Sequence, residues 1–228
     1  MTPRVEPVVL GDRRFARAAA PAERRVVPRS WHVLKRAIDV AVASSAAVVF
    51  SPVVALAALG IACVSPGAPF FLQERVGKNG LHFKLFKLRT MVEGAHLSHD
   101  EMCALSEVDG PVFKIRDDPR LHPLGKFLRR TSIDELPNLI NVLRGEMSIV
   151  GPRPPLPREV ARYDDYARRR LTVKPGITCL WQISGRSNVR FDEWMRLDNE
   201  YIDTWTPLSD LGIVLKTVPA VLRGEGAH

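Results

Sequence analysis

Residues 40–64 read VAVASSAAVVFSPVVALAALGIACV, 25 positions without a charge. That length is enough to cross a bilayer as one helix. Two features favour a segment that enters and returns. Ser51-Pro52 lies at the midpoint, where proline removes one helix hydrogen bond and the serine hydroxyl can satisfy a freed carbonyl. Both flanks are basic, with Lys35 and Arg36 before the segment and Arg75, Lys78, Lys84, Lys87 and Arg89 after it. Positive flanks mark the cytoplasmic side, so both ends belong on one side. Each arm of about 12 residues, ~18 Å, is shorter than a ~30 Å hydrocarbon core. The expectation is a re-entrant helix-break-helix turning at Ser51 and Pro52.

On the N-terminal side, residues 1–30 hold seven arginines against three acids, with no apolar periodicity. This composition reads as a disordered basic tail. On the C-terminal side, Pro66 and Gly67 end the apolar element. Two apolar-rich runs then flank Gly77-Lys78-Asn79-Gly80, a strong hairpin signal. His96, His99 and Cys103 fall at helical spacing but lack a fourth ligand, so no zinc site is read there. A short strand at 112–116 and a turn at Asp117-Asp118-Pro119 follow. Gly125 to Arg130 alternates basic and apolar residues, which suits a helix in the membrane interface. Arg158 to Arg170 reads as a polar, solvated helix, and 194–222 as helix with apolar stripes, closed by Pro219.

The chemistry concentrates in residues 129–155, RRTSIDELPNLINVLRGEMSIVGPRPP. Leu136, Leu139, Ile140 and Leu143 share one helical face, and Pro137 fits only a first turn, so a helix is predicted from about Asp134 to Gly145. Ser132 and Glu135 match a capping box, which would make the acids purely structural. Their neighbours favour a site: Arg129 and Arg130 stand just before them, and Arg153 is held between Pro152 and Pro154. Adjacent carboxylates with flanking arginines suit an anionic phosphate and a divalent cation.

Net charge is +8 with pI about 9.8, which calls for anionic partners. Three separated cysteines give no disulfide framework. Aromatics make up 7%, few for a base-stacking surface, and no zinc finger or RNA-binding signature appears. A membrane-tethered basic nucleic-acid binder, or a scaffold without catalysis, is therefore the weaker alternative, and no nucleic-acid partner is expected. There is neither a P-loop nor an Asp-x-Asp motif.

Arg-Arg-Thr-Ser-Ile-Asp-Glu-Leu-Pro-Asn-Leu followed by Gly-Pro-Arg-Pro resembles the core of the bacterial sugar transferase family, the monotopic polyprenol-phosphate phosphoglycosyl transferases. The resemblance runs from about Lys35 to about Val221. It includes a Lys-Arg-x-x-Asp motif (Lys35, Arg36, Asp39), the Ser-Pro break, the Phe-Lys-Leu-Arg-Thr-Met run with Lys87 and Arg89, and Pro175-Gly176-Ile177-Thr178. The family usually follows that last motif with glycine, where this chain has Cys179. The question this raises is whether the backbone there needs positive φ.

The resemblance implies an α+β fold: a mostly helical membrane-associated domain with a re-entrant membrane helix, a small β-hairpin and interfacial amphipathic helices. It divides the chain into the tail at 1–30, the re-entrant element at 31–66 and a cytosolic-face catalytic domain at 67–228. It implies transfer of sugar 1-phosphate from a UDP-sugar to undecaprenyl phosphate at the bacterial inner membrane. Asp134 would be the nucleophile, kept ionised by a helix N-terminus and nearby arginines. Glu135 would join Asp134 in holding Mg²⁺, with Asp203 and Asp210 as further acidic candidates. Arg129, Arg153, Lys87 and Arg89 would bind substrate phosphate. Lys174, Arg186, Pro152 and Pro154 would contact nucleotide or lipid phosphate. The resemblance leaves room for a homo-oligomer.

Overall fold

A computed structural model describes residues 27–95, 112, 115, 118–184 and 190–223. The basic tail up to residue 26, the strand at 112–116 apart from two residues, and His96, His99, Cys103, Asp117 and Arg186 lie outside the described residues.

The first helix, α1, spans Arg29–Val64, 36 residues, with Pro52 inside it. Helical hydrogen bonding continues through Ser51 and Pro52, so the expected break is not a loop. Proline withholds one N–H, and the carbonyl it frees is that of Val48, four residues earlier. The Ser51 hydroxyl donates to that same oxygen at 2.9 Å. This repair of the freed carbonyl is what keeps the segment helical.

Both arms of α1 dock on one body. Ala43, Ala46 and Ala47 pack against Phe83, Leu85, Leu139, Val142 and Met147. Beyond the proline, Val54, Ala57, Ala58 and Ile61 pack against Leu88, Leu124 and Leu128. Between them, residues 48–53 are all exposed, with Val48 at 75% and Val49 at 66%. Small alanines at the contacts let the helix sit close, and the bulky valines, phenylalanine and leucines face out. Among the described residues α1 is the one helix long and apolar enough to cross a membrane, with mean hydropathy 2.5 in its most apolar window.

The Lys35, Arg36, Asp39 motif anchors this arm. Buried Asp39 accepts from Ser148 Oγ and Ile149 N, both at 2.9 Å. Lys35 Nζ pairs with Asp210 at 2.5 Å and donates to the Val150 carbonyl at 3.0 Å. Arg36 donates to the Val142 and Leu143 carbonyls at 2.6 and 2.9 Å. At the other end, Arg89 donates to the carbonyls of Ser65, Pro66 and Gly67.

Strands β1 (Phe70–Val76) and β2 (His82–Leu88) form the predicted antiparallel hairpin, with Val76 opposite His82 and Phe70 opposite Leu88. Asn79 and Gly80 take φ of 58° and 78° at its tip, the left-handed region that Asn-Gly tolerates. After it come α2 (Gly125–Thr131), a 3-10 turn over Ile133–Asn138 and α3 (Leu139–Arg144). Strands β3 (Ser148–Val150) and β4 (Gly176–Thr178) form a parallel pair. Helices α4 (Pro157–Val160) and α5 (Asp165–Arg168) lie between them. The chain ends in α6 (Leu180–Ile183), α7 (Phe191–Thr204) and α8 (Pro207–Arg223). Val150, Tyr201, Trp205 and Ile213 join the parallel pair to the last two helices. The mostly helical α+β class and the small hairpin are as expected.

Several local expectations change. The helix predicted from Asp134 is a 3-10 turn through Asn138, continuing as α only from Leu139. Ile140 and Leu143 are exposed, and the buried face is Asn138, Leu139, Asn141 and Val142. Periodicity missed this because a polar residue occupies the core position. Asn141, fully buried, accepts from Phe86 N at 3.0 Å and donates to the Lys84 carbonyl at 2.7 Å and to Glu146 Oε2 at 2.6 Å. The polar helix at 158–170 is short pieces with Glu159 and Arg170 buried. Pro219 does not close α8, which runs on to Arg223.

Asn141 is thus the bolt between α3 and β2. Asn141→Ala leaves a buried N–H and carbonyl without partners, and we expect a loss of about 2–3 kcal/mol in unfolding free energy by chemical denaturation. Asn141→Leu should be no better, because a leucine also lacks the donor and acceptor.

Candidate active site

Ser132 ends α2 in the left-handed region, at φ 56° and ψ 19°. Its carbonyl accepts from Glu135 N at 3.2 Å, but its side chain caps nothing. The capping-box reading therefore fails: this turn releases both acids from a structural role and launches Asp134 and Glu135 toward the hairpin. Glu135 Oε1 accepts from Arg153 Nη1 at 2.8 Å, with both side chains partly buried. Asp134 is 6% exposed and makes no hydrogen bond or ion pair among the described residues.

Cations surround the pair. Lys87 comes from β2, Arg129 from α2, Arg153 from the loop after β3 and Arg75 from β1. Their charges act on one or both acids. Arg129 Nε donates to Thr90 Oγ1 at 3.1 Å, which fixes its direction. Arg75 was only one of many basic residues in the sequence. In the fold it is buried, donates to the Pro154 carbonyl at 2.8 Å and to Gln73 Oε1 at 2.7 Å, and faces Arg153 and Glu135. Alternation along β1 gives no signal for it, because burial there begins only at Arg75 and Val76. Beside the acids is a shallow depression lined in part by Arg75, Glu135, Asn138, Met147, Arg153 and Ile177.

The Gly-Pro-Arg-Pro loop is set by its neighbours. A Cβ on Gly176 would lie 2.1 Å from Gly151 N, so two backbones touch where only glycine fits. Pro152 contributes its carbonyl to Gly176 N at 2.9 Å, and Pro154 its carbonyl to Arg75. From beneath, Arg170 Nη2 donates to the Arg153 carbonyl at 2.9 Å. Arg170 also lies 2.8 Å from Asp198, each side chain 1% exposed. This buried support was unreadable in a segment that looked solvated.

Electrostatics distinguish the two acids. Burial pushes the Asp134 carboxyl up to about 6, reinforced by the Glu135 charge and opposed by Lys87, Arg129 and Arg153. The sequence predicted the opposite direction; desolvation outweighs the cations because the side chain is almost fully enclosed. Burial would also raise Glu135, but the charge and hydrogen bond of Arg153, with Lys87 and Arg75, hold it below the usual range. Burial together with Arg75 and the other arginines brings the Lys87 ammonium down to about 8.

Other predicted residues are not brought to this cluster. Both terminal nitrogens of Arg89 serve the end of α1. Asp203 is paired with Arg169 at 2.6 Å, and Asp210 with Lys35 and with the Tyr201 hydroxyl at 2.9 Å. Lys174 stands near Arg36 instead. Cys179 has φ −155°, ordinary extended backbone, so the family's glycine is not needed for its torsion here. Its side chain fills a space beside Trp181 and Leu197.

The described residues thus form an α+β domain in which two adjacent acids lie among four cations, an arrangement suited to an anionic ligand. The model for the family described as "Bacterial sugar transferase" matches residues 30–224, and the chain belongs to that family. It is 48% identical over 162 residues to the galactosyl transferase CpsE of Streptococcus agalactiae, covering 71% of this chain but 36% of that protein. It is 39% identical over 212 residues to the exopolysaccharide production protein ExoY of Rhizobium meliloti, covering 91% of this chain and 94% of that one. To the UDP-glucose:undecaprenyl-phosphate glucose-1-phosphate transferase of Caulobacter vibrioides it is 40% identical over 208 residues, with 85% and 72% covered.

A carboxyl raised to about 6 from 3.8 in the unfolded chain destabilises the fold at neutral pH. Its contribution is most favourable below pH 3.8 and is lost as pH rises through about 6. Asp134→Asn should therefore raise the unfolding free energy at pH 8 by on the order of 2–3 kcal/mol. The gain should vanish below pH 4, as followed by denaturant titration at both pH values.

Proposed function

We propose that the chain transfers a sugar 1-phosphate from a UDP-sugar to undecaprenyl phosphate, releasing UMP and giving a polyprenyl-diphosphate-sugar. The observation that carries this reading is Asp134: a buried carboxylate with no hydrogen bond or ion pair among the described residues, set among Lys87, Arg129 and Arg153. The names of relatives supply the donor and acceptor classes, UDP-sugar and undecaprenyl phosphate. Those names include both glucose and galactose, so the sugar itself is not assigned.

In this mechanism an Asp134 oxygen attacks the sugar-proximal phosphorus. The phosphoanhydride bond breaks, and UMP leaves with the electron pair. An aspartyl phospho-sugar remains. An oxygen of undecaprenyl phosphate then attacks the same phosphorus and returns the carboxylate. With its carboxyl at about 6, Asp134 is mostly ionised at neutral pH yet poorly stabilised as an anion, which suits a nucleophile. Arg153 is braced at its carbonyl by Arg170 and at its side chain by Glu135. That bracing holds a phosphate-binding guanidinium in place before substrate arrives. Arg129 and Lys87 approach from the other elements.

No group of three or more metal-ligating side chains occurs among the described residues. The donor set nevertheless fits Mg²⁺, which usually takes one or two carboxylates and completes its shell with substrate phosphates and water. Asp134 and Glu135 would hold it, and it would neutralise charge on the diphosphate. With four cations around two acids, the site favours the metal only alongside an anionic substrate.

Incubation of the detergent-solubilised chain with UDP-sugars and Mg²⁺, without lipid, tests the covalent step. We expect stoichiometric UMP and a phospho-sugar mass on the peptide containing Asp134, both abolished by Asp134→Asn and by chelation. No adduct, and no UMP until undecaprenyl phosphate is added, would point to a one-step enzyme instead.

The same reading organises the chain as a tail to residue 30, a membrane element at 31–66 and a catalytic domain at 67–228 on the cytoplasmic face of the inner membrane. Its support is that both arms of α1 dock on one body while 48–53 stand clear. Single cysteines at positions 35 and 66 should react with an impermeant thiol reagent from the same side of sealed vesicles. Labelling from opposite sides would make α1 a simple transmembrane helix.

A further inference from the structure

The C-terminus of α3 gathers positive charge that the acid pair does not use. Gly145 caps α3 with φ 82°. The preceding carbonyls of Val142 and Leu143 accept from Arg36. A Cβ placed on Gly145 would lie 3.6 Å from Arg36 Nη2 and 3.6 Å from Lys174 Nζ, so both cations converge over the same turn.

Arg36 has partners there, but Lys174 Nζ has no hydrogen bond or ion pair among the described residues. Burial and the Arg36 charge both disfavour its charged form, and Lys78 adds to this. The nearby Asp39 carboxylate attracts it, yet Asp39 is already bonded to Ser148 Oγ and Ile149 N. A half-buried lysine close to an arginine, with no partner among the described residues, is a place where an anion would offset the repulsion.

The rim of this cluster identifies the anion. Leu143, whose carbonyl Arg36 holds, is 37% exposed, and Ile140 on the preceding turn is 41% exposed. On α1, Val33 and Val40 lie one turn to either side of Arg36 and are also exposed. A soluble phosphate would leave these side chains in water. A phospholipid would place its phosphate on the cations and its acyl chains along the apolar rim, as polybasic segments and snorkelling side chains do at bilayer surfaces.

We propose that Arg36 and Lys174 form a clamp for the phosphate of an anionic phospholipid, a site separate from the acid pair and seated where α1 leaves the bilayer. The clamp would fix the depth and tilt of the domain so that the acids face the membrane surface. This inference rests on the reading that α1 lies in the bilayer, and it does not depend on covalent catalysis.

Native mass spectrometry of the full chain in detergent, with equimolar phosphatidylglycerol and phosphatidylcholine and with UDP or undecaprenyl phosphate added in separate arms, tests the clamp. We expect the wild type to retain phosphatidylglycerol in preference. Lys174→Gln should reduce that preference about fivefold, the worth of one lysine at an anionic surface. Lys174→Arg should keep it, and Asp134→Asn should leave it unchanged whatever its effect on sugar transfer. An unchanged lipid ratio in Lys174→Gln overturns the clamp. So does displacement of phosphatidylglycerol by UDP, or a Lys174 dependence confined to undecaprenyl phosphate, since either would make Lys174 part of a substrate site. A same-sided cysteine result with no lipid preference would fault the clamp alone, and an opposite-sided result would fault the membrane reading beneath it.

Discussion

Asp39 is the contact on which the arrangement turns. Its buried carboxylate emerges from the membrane helix and receives both Ser148 Oγ and the Ile149 amide. A buried polar group costs stability unless it is hydrogen-bonded, so these two bonds to one Asp39 oxygen fix α1 against β3. Strand β3 leads directly into Gly151, Pro152 and Arg153, and Arg153 grips Glu135. Lys35 and Arg36, one turn earlier on α1, add bonds to Val150, Val142 and Leu143. The position of the apolar helix and the position of the acids are therefore one mechanical problem, solved by side chains from the same three-residue motif.

The site is pre-organised by competition among charges. Two acids share one turn, and four cations from separate elements enclose them. One acid is committed to an arginine and held low; the other is buried, with no partner among the described residues, and pushed up to about 6. This asymmetry gives two carboxylates different chemistry although they are adjacent in sequence. The Ser132 side chain caps neither acid, so Glu135 is free to pair with Arg153. The desolvation of Asp134 works against folding stability at neutral pH.

Glycine 151 and glycine 176 show how little tolerance the support allows. Their backbones meet so closely that a methyl group on either would collide with the other's peptide or its neighbour's. Beneath them, the Arg170–Asp198 pair lies fully buried and donates upward to the Arg153 carbonyl. A buried ion pair is rarely retained for stability alone. Here it lies under Arg153, which acts on both acids and lines the depression beside them.

The amino-acid order alone determined the apolar segment, the hairpin at Asn79-Gly80, the acid pair and the arginines around it. Each is a local matter of composition, turn torsion or spacing. It also carried the family, through long motifs. Only the tertiary structure decided which charges matter. Arg75 and Arg170 looked like surface cations and are buried, whereas Asp203, Asp210 and Arg89 looked available and are tied elsewhere. Asn141 lies in the core, whereas Ile140 and Leu143, which periodicity placed there, are exposed. The direction of the Asp134 shift followed the same logic, because desolvation depends on what encloses a carboxyl and neighbouring letters do not report enclosure. Ion pairs between residues tens of positions apart are chosen by packing, and packing is settled only when the whole chain has closed.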